Sequence, residues 1–522
     1  MTRIGNYLIS FSYADQLKQV NLAYLCAAGL AGLFLVQYIS SIIYEALLSP
    51  LSAYPGPFWC QVSHLPAAWQ LWRGTHAFWI HRLHKKYGDV VRVTPSELSY
   101  ASAQAWKDIY GHAHHGKQTN GKEPRFYGLP RDLDNKTPGI LEADDENHAR
   151  MRKIFSHAFS HKAIQEQEPL IRTHVDKLVT KLREATVENS VRKFDICLWY
   201  TYTTFDIMSD LTFGEPLDLL QHQNPKYVPW IAAVFNSLQA GVIFRSLRYW
   251  PTLYRIFRFI VGKKLREKRR EQFKFCADHV DVRLTKDPEN TRPDFWSLVL
   301  RQKEEDRLSL AEMHTNSSAF MMAGTETTAT LLSGLTYYLL TNPGKMKKLV
   351  TEIRSSFQSE EEMTIGALQR LEYLQACLDE ALRVYPPSVT GFQRRTPPEG
   401  AEICGSFVPG NTTLYVTGYA CFRNEKNFQQ PDEFIPERFL SNTGFDSDNR
   451  SALQPFSYGP RNCMGRHMAY VEMRMILVSM LWNFDYELCD ESQNWLDQKV
   501  YLVWRKDPLM VRLVPRRGLK VS

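Results

Sequence analysis

The chain has 522 residues, 44% of them hydrophobic, and its 63 lysines and arginines against 56 acidic residues give a net charge of +7. This composition supports a large folded core and excludes an intrinsically disordered chain. The nine cysteines are odd in number and scattered, without a Cys-x-x-Cys pair. They argue against a disulfide framework and a structural zinc site, and they favour a reducing compartment. A charge this small over a chain this long is weak evidence for nucleic-acid binding.

The N-terminal segment predicts a membrane anchor. From Val20 to Tyr44 the sequence carries no charged residue, and a helix of this length extends about 37 Å, which exceeds the roughly 30 Å hydrocarbon core of a bilayer. A cleaved signal peptide is the alternative, but little positive charge precedes this run, and the run is longer than the apolar region of such peptides. We therefore predict a tail over 1–19 and an uncleaved transmembrane helix over 20–44. Lys18 and Glu45 flank the run without a clear excess of positive charge, so its orientation is left open.

A short proline-rich segment follows the anchor. Pro50, Pro55 and Pro57 cannot continue a helix, so residues 45–58 are predicted to form a stiff, extended linker. No repeat, low-complexity tract or change in composition interrupts residues 59–522. We predict that they form one large domain of mainly α structure with small β-sheets, an α+β fold.

The strongest secondary-structure signal is a long helix in the second half of the chain. Ser309 and Glu312 form a capping-box pattern at its start and Pro343 ends it, which gives about 32 residues and roughly 48 Å of helix. Its interior contains Gly324 followed by the threonine-rich segment 325–328. These are poor helix formers, so we expect a local break there. Apolar segments predict strands at Gly88–Val93, Thr412–Gly418 and Leu509–Val514.

One cysteine stands in a sequence suited to binding iron. Within PFSYGPRNCMGR, the frame consists of Phe456, Gly459, Arg461, Cys463 and Gly465. The glycines allow the backbone to turn and to approach a flat cofactor, the arginine can bind a carboxylate, and the helical pattern over 467–482 would place N–H groups near the sulfur. The alternative is an ordinary buried cysteine in a loop. Five fixed positions in ten arise by chance in such a chain on the order of once in ten thousand.

Further motifs resemble those of the cytochrome P450 haem-thiolate monooxygenases. In LDEALRVYPP, Glu380 and Arg383 match the Glu-x-x-Arg pair of that family, and Arg438 in PDEFIPERF matches its third member. The sequence AGTETT at 323–328 matches the oxygen-activation motif. A surface ion pair is the alternative for Glu380 and Arg383 taken alone, but the order and spacing relative to Cys463 favour the family.

The resemblance implies a cytochrome P450 fold, a single haem-binding domain in which Cys463 binds the iron of haem b, and O2 as cosubstrate. Glu380, Arg383 and Arg438 would hold the segment that carries the cysteine. Glu326 and Thr327 would be the acid and the alcohol that relay protons for oxygen activation. The sequence over 148–171 also resembles filamentous-fungal members that decorate secondary metabolites.

The same resemblance implies the residues around the haem and its substrate. His148 and Arg152 would meet the propionates, although the wider family usually has tryptophan at the first position. Arg394 is a further propionate candidate, with Arg395 as the alternative one position on. The implied haem contacts are His148, Arg152, Ala323, Arg394, Phe456, Arg461 and Gly465. The implied substrate pocket is largely apolar and comprises Ala319, Met322, Val389, Thr390, Phe392 and Tyr501.

Electrons are expected to come from outside the chain, because it carries no recognisable flavin or nicotinamide fingerprint. The resemblance implies NADPH–cytochrome P450 reductase as partner, with cytochrome b5 as a second donor, and Arg150, Lys153 and Arg466 are candidates for docking it. We expect a hydrophobic small-molecule substrate, a catalytic domain on the cytosolic face of the endoplasmic reticulum membrane, and no nucleic-acid partner. The basic run 262–274 and the aromatic residues before it are candidates for a second membrane contact.

Two other functions are left open by the sequence. A haem-thiolate isomerase or dehydratase would need neither O2 nor a reductase, but such proteins commonly lack the acid and alcohol that Glu326 and Thr327 provide. A membrane-tethered carrier of haem or lipid would not need these two residues. The substrate, the position and number of oxidations, and the choice between hydroxylation, epoxidation and ring formation are not determined by the motifs.

Overall fold

The computed structural model describes residues 24–112, 119–127, 134, 136–222, 239–286, 293–300 and 307–516. Helices dominate this part of the chain and the strands are short, which confirms the predicted fold class. The helices are Tyr24–Leu48, Phe58–Val62, Leu65–Arg73, His76–Tyr87, Ala103–Tyr110, Pro124–Tyr127, Asp145–Ser156, His161–Glu188, Ile196–Phe213, Leu219–His222, Pro251–Leu284, Phe295–Leu300, Leu310–Leu340, Pro343–Ser356, Ile365–Leu368, Glu372–Val384, Gly418–Phe422 and Arg466–Asn483. A further helical stretch covers 239–247. Short 3-10 turns lie at Glu360–Glu362, Pro436–Phe439, Arg450–Ala452, Gly459–Arg461 and Asp490–Ser492.

The strands form small sheets at the periphery of the helical core. The largest sheet has the spatial order Val90–Thr94, Glu97–Tyr100, Thr413–Val416, Arg394–Arg395 and Gly121–Lys122. Its second and third strands are parallel and its other neighbours are antiparallel. A second sheet has the order Lys193–Asp195, Met510–Pro515 and Phe484–Leu488. Two hairpins pair Ala401–Ile403 with Ser406–Val408 and Lys499–Val500 with Trp504–Arg505. All three predicted strands are therefore confirmed within a few residues.

The central helix, Leu310–Leu340, crosses the core as predicted. Ser309 caps it, and Glu312 completes the capping box. The expected break at 324–328 is wrong, because the helix continues through this segment. The hydroxyls of Thr325 and Thr327 donate to the carbonyl oxygens four residues earlier, at 2.7 Å in each case. A threonine hydroxyl can bond in this way without interrupting the backbone ladder, so these residues are accommodated inside the helix.

A close contact on the central helix gives a first prediction. A Cβ atom added at Gly334 would lie 2.2 Å from Cδ1 of Tyr385. That ring is stacked on Trp504 with 4.2 Å between centroids, and its hydroxyl donates to Gln498 at 2.6 Å, so it cannot easily retreat. We expect Gly334→Ala to lower the free energy of unfolding by about 1–3 kcal/mol through overpacking. The measurement is thermal or urea unfolding, with Gly344→Ala as the control.

The control separates crowding from helix propensity. Gly344 lies in the first turn of Pro343–Ser356 and has no atom within 4 Å of an added Cβ. Its replacement by alanine should leave stability unchanged or slightly raised. Equal unfolding midpoints for the two variants would show that the space beside Tyr385 is not limiting.

The N-terminal helix, Tyr24–Leu48, is the only helix among the described residues that is long and apolar enough to cross a membrane, and none of its most apolar window is buried. It runs four residues beyond the predicted end of the anchor at Tyr44. Glu45, which the prediction placed in the linker, lies in its last turn and pairs with Arg92 at 2.6 Å. The helix is therefore tied directly to the folded domain.

The predicted linker 45–58 is not an extended connector. Leu51 and Tyr54 are buried in a hydrophobic cluster with residues of the largest sheet, and the carbonyl of Pro55 accepts the backbone N–H of Arg92 at 2.7 Å. Proline prevents a helix here, but the apolar side chains between the prolines are buried against the domain. The folded unit consequently begins before residue 59.

Candidate active site

The cysteine loop, residues 455–465, is closed by its own backbone. The N–H of Cys463 donates to the carbonyl of Phe456 at 2.9 Å, and the N–H of Asn462 donates to Gly459 at 3.1 Å. Helix Arg466–Asn483 begins directly afterwards, with Gly465 as its N-cap. The backbone N–H of Gly465 acts on the cysteine sulfur and opposes the rise in the pKa of its thiol. The loop therefore presents the sulfur at the start of a helix.

The two glycines of the loop have different roles. Gly459 has φ +74°, and an added Cβ would lie 1.9 Å from the carbonyl oxygen of Tyr110, so only glycine fits. Gly465 has φ −78°, and an added Cβ would meet only ordinary contacts, at 3.8 Å from Phe159 and 3.9 Å from the sulfur. Within the protein, the backbone conformation thus requires glycine at 459 but not at 465, and the predicted close approach of both glycines to a flat cofactor stays a prediction.

Cys463 has a backbone N–H donor and two cations nearby that act in favour of its thiolate. Burial raises the pKa of its thiol, while the Gly465 N–H and the charges of Arg152 and Arg466 act in the opposite direction. Of the other two exposed cysteines, Cys26 lies in the N-terminal helix and Cys404 lies near Asp108, whose charge disfavours a thiolate. Cys463 is thus an exposed sulfur with an N–H donor and two nearby cations.

Glu380, Arg383 and Arg438 form a buried ion cluster, which excludes the alternative of a surface ion pair. All three side chains are fully buried. Arg383 binds both oxygens of Glu380 at 2.8 Å, and Arg438 Nε lies 3.1 Å from Oε2. The sequence did not reveal a fourth member, Asp448, whose carboxylate accepts from Arg438. Two carboxylates therefore balance two arginines inside the protein. We call these four residues the arginine–carboxylate cluster.

The arginine–carboxylate cluster holds the chain segment that leads to the cysteine loop. Arg383 donates to the carbonyls of Phe422, Pro431 and Glu433 at 3.0, 2.5 and 2.7 Å. Arg438 donates to the carbonyl of Gln429 at 2.9 Å. These carbonyls belong to a stretch with little regular structure, so the arginines satisfy backbone groups that a helix or sheet would otherwise satisfy.

The predicted acid and alcohol of the central helix lie side by side but are not hydrogen-bonded to each other in the described structure. Thr327 is half-buried and donates to the carbonyl of Ala323, an exposed residue. Glu326 is buried, and its Oε1 accepts from Lys506 and, at 3.1 Å, from Thr330. Burial raises the pKa of Glu326, and Lys506 acts in the opposite direction. Lys506 was not predicted, because it lies 180 residues away in sequence.

Arg394 and Arg461, the predicted propionate partners, differ in burial and pairing. Arg394 is buried, and its Nε has no hydrogen-bond partner in the described structure. Arg395 binds Glu123 at 2.9 and 3.0 Å, which favours Arg394 over the alternative one position on. Arg461 pairs with the exposed Asp145 at 2.6 Å. Arg394 thus combines burial with an unused donor.

His148 and Arg152 lie on helix Asp145–Ser156, one turn apart. Arg152 donates to the carbonyl of Asn462 at 2.7 Å and to its side-chain oxygen, so it holds the residue next to the cysteine. Burial, together with the positive charges of Arg461, Lys122 and Arg152, lowers the pKa of His148 to about 4. His148 is therefore a neutral hydrogen-bonding group at physiological pH.

Lys122 joins this group of cations and was missed by the sequence. Its ammonium donates to the carbonyls of Leu141 and Ala143 at 2.5 and 2.6 Å. Burial lowers the pKa of Lys122 to about 7, and the charges of Arg461 and Arg394 contribute in the same direction. Lys122 stands opposite Arg394 in the largest sheet, a pairing across some 270 residues that no local pattern shows.

These basic groups fit a doubly anionic cofactor. The charges of Arg461 and Arg394 lower the pKa of Lys122, and those of Arg461, Lys122 and Arg152 lower the pKa of His148. Such a concentration of positive charge is stabilised by carboxylates, which haem b supplies as its two propionates. The exposed sulfur of Cys463 provides the axial ligand that the same cofactor requires. The donor set therefore fits haem.

A cavity of about 360 Å³ reaches the central helix at Ser318, Met321 and Met322. Of the six predicted pocket residues, only Met322 lines it. Ala319, Val389, Thr390 and Tyr501 are buried in the protein, and Phe392 contacts the cavity residue Phe126 edge-on at 6.1 Å. The prediction missed the cavity because its walls come mainly from segments that carry no recognised motif, including 241–276.

The fold is mainly helical, with a long central helix. A cysteine lies at the start of another helix, near a set of cations suited to two carboxylates. Together these features define a haem-thiolate protein. Residues 54–513 match the model of the family described as Cytochrome P450. The chain belongs to the cytochrome P450 family and is an oxidoreductase that incorporates oxygen from O2. Membership implies haem with a cysteine thiolate ligand.

Similar proteins come from fungi. The cytochrome P450 monooxygenase efuB of Hormonema carpetanum is 47% identical over 489 residues, which cover 93% of this chain and 96% of that protein. The cytochrome P450 monooxygenase FUM2 of Gibberella moniliformis is 42% identical, with coverage of 91% and 100%. Averantin hydroxylase of Dothistroma septosporum is 40% identical, with coverage of 94% and 92%. These relatives support a monooxygenase of fungal secondary metabolism.

Proposed function

We propose that Cys463 is the thiolate ligand of haem b, and that the enzyme inserts one oxygen atom of O2 into a small molecule with an apolar body, using electrons from NADPH delivered by a reductase. The observation that carries this proposal is the position of Cys463, an exposed residue directly before the start of helix Arg466–Asn483, where the Gly465 N–H, Arg152 and Arg466 favour its thiolate. When bound, the haem supplies the iron at which O2 is activated.

The chain's basic groups would orient the cofactor. Arg394 and Arg461 would bind the propionates, with Lys122 as a third cation and His148 as a neutral donor. Arg152 would act through Asn462, because it already holds that residue beside the cysteine. Ala323, Phe456 and Gly465 would lie against the faces of the ring.

Proton delivery would use the central helix. Thr327 would hold a proton at Oγ1, and Glu326 would resupply it from the protein interior. One oxygen of Glu326 is bound by Lys506 and Thr330, while Oε2 has no hydrogen-bond partner in the described structure. The carboxylate is therefore anchored at one oxygen and able to carry a proton at the other.

The carbon monoxide difference spectrum of the reduced protein tests the axial ligand. We expect wild type to show the strongly red-shifted Soret band of a thiolate-ligated haem and Cys463→Ser to lack it entirely. Cys404→Ser is the matched control, since Cys404 is also exposed and should leave the band unchanged. A folded, haem-loaded wild type without the band, or a band that survives in Cys463→Ser, would disprove the assignment.

Docking of the reductase, with cytochrome b5 as a second donor, would use the cysteine side of the protein. Lys153 and Arg466 are exposed there, whereas Arg150 is already paired with Glu312 and is a weaker candidate than predicted. We expect Lys153→Glu with Arg466→Glu to slow reduction by the reductase at least tenfold at low salt, and less at high salt. Lys499→Glu, on an exposed hairpin lysine, is the control. Equal rates for both proteins would contradict docking at this surface.

The enzyme would sit on the endoplasmic reticulum membrane with its catalytic domain in the cytosol. Helix Tyr24–Leu48 supports an anchor, and a second exposed apolar surface supports additional contact with lipid. This surface comprises Phe58, Trp59, Leu65, Trp69, Leu253, Ile256, Phe259 and Ile260. Its two halves are joined where Trp72 donates to Ser246 at 2.6 Å and His64 stacks on Tyr249 at 4.5 Å.

A further inference from the structure

The cavity beside the central helix carries an unexpected concentration of positive charge. Its wall contains one carboxylate, Glu142, and six arginines. The arginines are Arg125, Arg245, Arg248, Arg258, Arg266 and Arg269. Most of the remaining wall is apolar, with Phe126, Phe244 and Met322 among its members. An apolar substrate alone would not need such a wall, because each cation near it is costly to desolvate.

Part of this charge is already balanced by the protein. Arg125 binds Glu123 at 3.0 Å and lies 3.8 Å from Glu97. Arg248 donates to the backbone carbonyls of Pro124 and Arg125, at 3.3 and 3.0 Å, which orients it without neutralising it. The other cavity arginines lie along the 241–276 wall, where Arg258 and Arg266 are exposed and Arg245 is half-buried.

Arg245 makes no ion pair among the described residues, and it is half-buried, whereas Arg258 and Arg266, which also make none, are exposed. The half-buried guanidinium of Arg245 lies over the ring of Phe126, 4.6 Å from the centroid. No carboxylate of the described residues lies within ion-pair distance of it, and Glu97 is already bound by the hydroxyl of Tyr249 at 2.8 Å. The adjoining sequence 223–238 contains no aspartate or glutamate. Burial lowers the pKa of Arg245, as expected for a cation that is desolvated more than it is paired.

We infer that the substrate is an amphiphilic organic anion, such as a carboxylic acid with an aromatic or aliphatic body, whose carboxylate binds Arg245. This inference rests on the proposed monooxygenase function and names the substrate class of that site. A carboxylate would form charge-assisted hydrogen bonds with the guanidinium, and the apolar body would lie along Phe126 and Phe244 towards Met322. Met322 precedes Ala323 of the oxygen-activation motif, so the apolar end is the end presented for oxidation.

The test is calorimetric titration of the full-length, haem-loaded protein in phosphatidylcholine nanodiscs. The probes are a panel of aliphatic and aromatic carboxylic acids, dodecanoate and 2-naphthoate among them, each with its methyl ester. We expect at least one acid to bind ten times more tightly than its ester, and Arg245→Gln to remove this preference while leaving the ester's affinity unchanged. Arg245→Lys should retain part of it. Arg270→Gln, an exposed position on Pro251–Leu284 outside the cavity, is the control and should behave as wild type.

Three outcomes would overturn the inference. One is that no acid in the panel binds more tightly than its ester. Another is that Arg245→Gln weakens acid and ester equally. The last is that Arg245→Gln leaves acid binding unchanged but weakens association with phosphatidylserine vesicles, which would assign the arginines to lipid headgroups. The heat of binding can be measured without turnover. A negative titration would therefore overturn the inferred substrate class alone, whereas the carbon monoxide spectrum decides the haem-thiolate assignment.

Discussion

Replacing Glu380 by glutamine is expected to lower the free energy of unfolding by about 3–5 kcal/mol, because it leaves Arg383 and Arg438 inside the protein with only Asp448 as a counter-ion. The loss should exceed that of an ordinary hydrogen bond, since the arginines also hold carbonyls that have no regular secondary-structure partners. Urea unfolding monitored by the haem-thiolate band and by circular dichroism measures the effect.

The same chain segment offers a matched control. Asp432 pairs with the half-exposed Lys85 at 3.3 Å and lies 3.6 Å from the buried Arg423, but its own side chain is 60% exposed. Asp432→Asn should therefore cost at most about 1 kcal/mol. Asp448→Asn should lower the free energy of unfolding by more than Asp432→Asn does and by at most as much as Glu380→Gln does. It removes a fully buried partner of Arg438 but leaves Glu380 in place. If Glu380→Gln unfolded at the same denaturant concentration as Asp432→Asn, the arginine–carboxylate cluster would not be the stabilising element that its burial indicates.

The sequence predicted those features that local patterns encode. The capping box of the central helix, its end before Pro343 and the three strands follow from spacing over a few residues. The Glu380–Arg383 pair could be recognised from the sequence for the same reason, since the two residues are one helical turn apart. Cys463 stood out because its neighbours are unusual, and the structure places an N–H donor and two cations around it.

The features that could not be predicted depend on contacts between distant segments. Lys506 meets Glu326, Asp448 meets Arg438, and Lys122 meets Arg394 only because loops and short strands bring them together. The cavity beside Met322 was missed for the same reason: most of its wall is apolar, but it also carries six arginines that no motif marks.

Two errors had local causes. The break at Gly324 was expected from helix propensity, but tertiary packing and the hydroxyl bonds of Thr325 and Thr327 outweigh it. The linker was expected from its prolines, but Leu51 and Tyr54 are buried against the domain. In both cases an intrinsic preference was correct for the isolated segment and was overridden by burial.

Glu326→Gln is expected to lower kcat in the reductase-driven reaction on the order of 100-fold, because glutamine keeps the shape of the side chain but cannot transfer a proton. Thr330→Val is the control, since it removes a hydrogen bond to the same carboxylate without removing the acid. It should lower kcat far less. An unchanged kcat in Glu326→Gln would exclude this residue from proton delivery.

Lys506→Met tests whether the pKa of Glu326 matters for catalysis, because it keeps the carboxyl group and removes the lysine that opposes the rise in its pKa. Burial raises the pKa of Glu326 and Lys506 opposes that shift, so removing Lys506 raises the pKa further. The acidic limb of the pH–rate profile should then move to higher pH, while Glu326→Gln should abolish that limb. A carboxyl whose folded pKa is raised loses stability as pH rises from its unfolded value through its folded value. The stability cost of Lys506→Met should therefore be small at a pH below the ordinary pKa of a glutamate and grow as the pH rises above it. A cost that did not change with pH would mean that Lys506 contributes by packing alone.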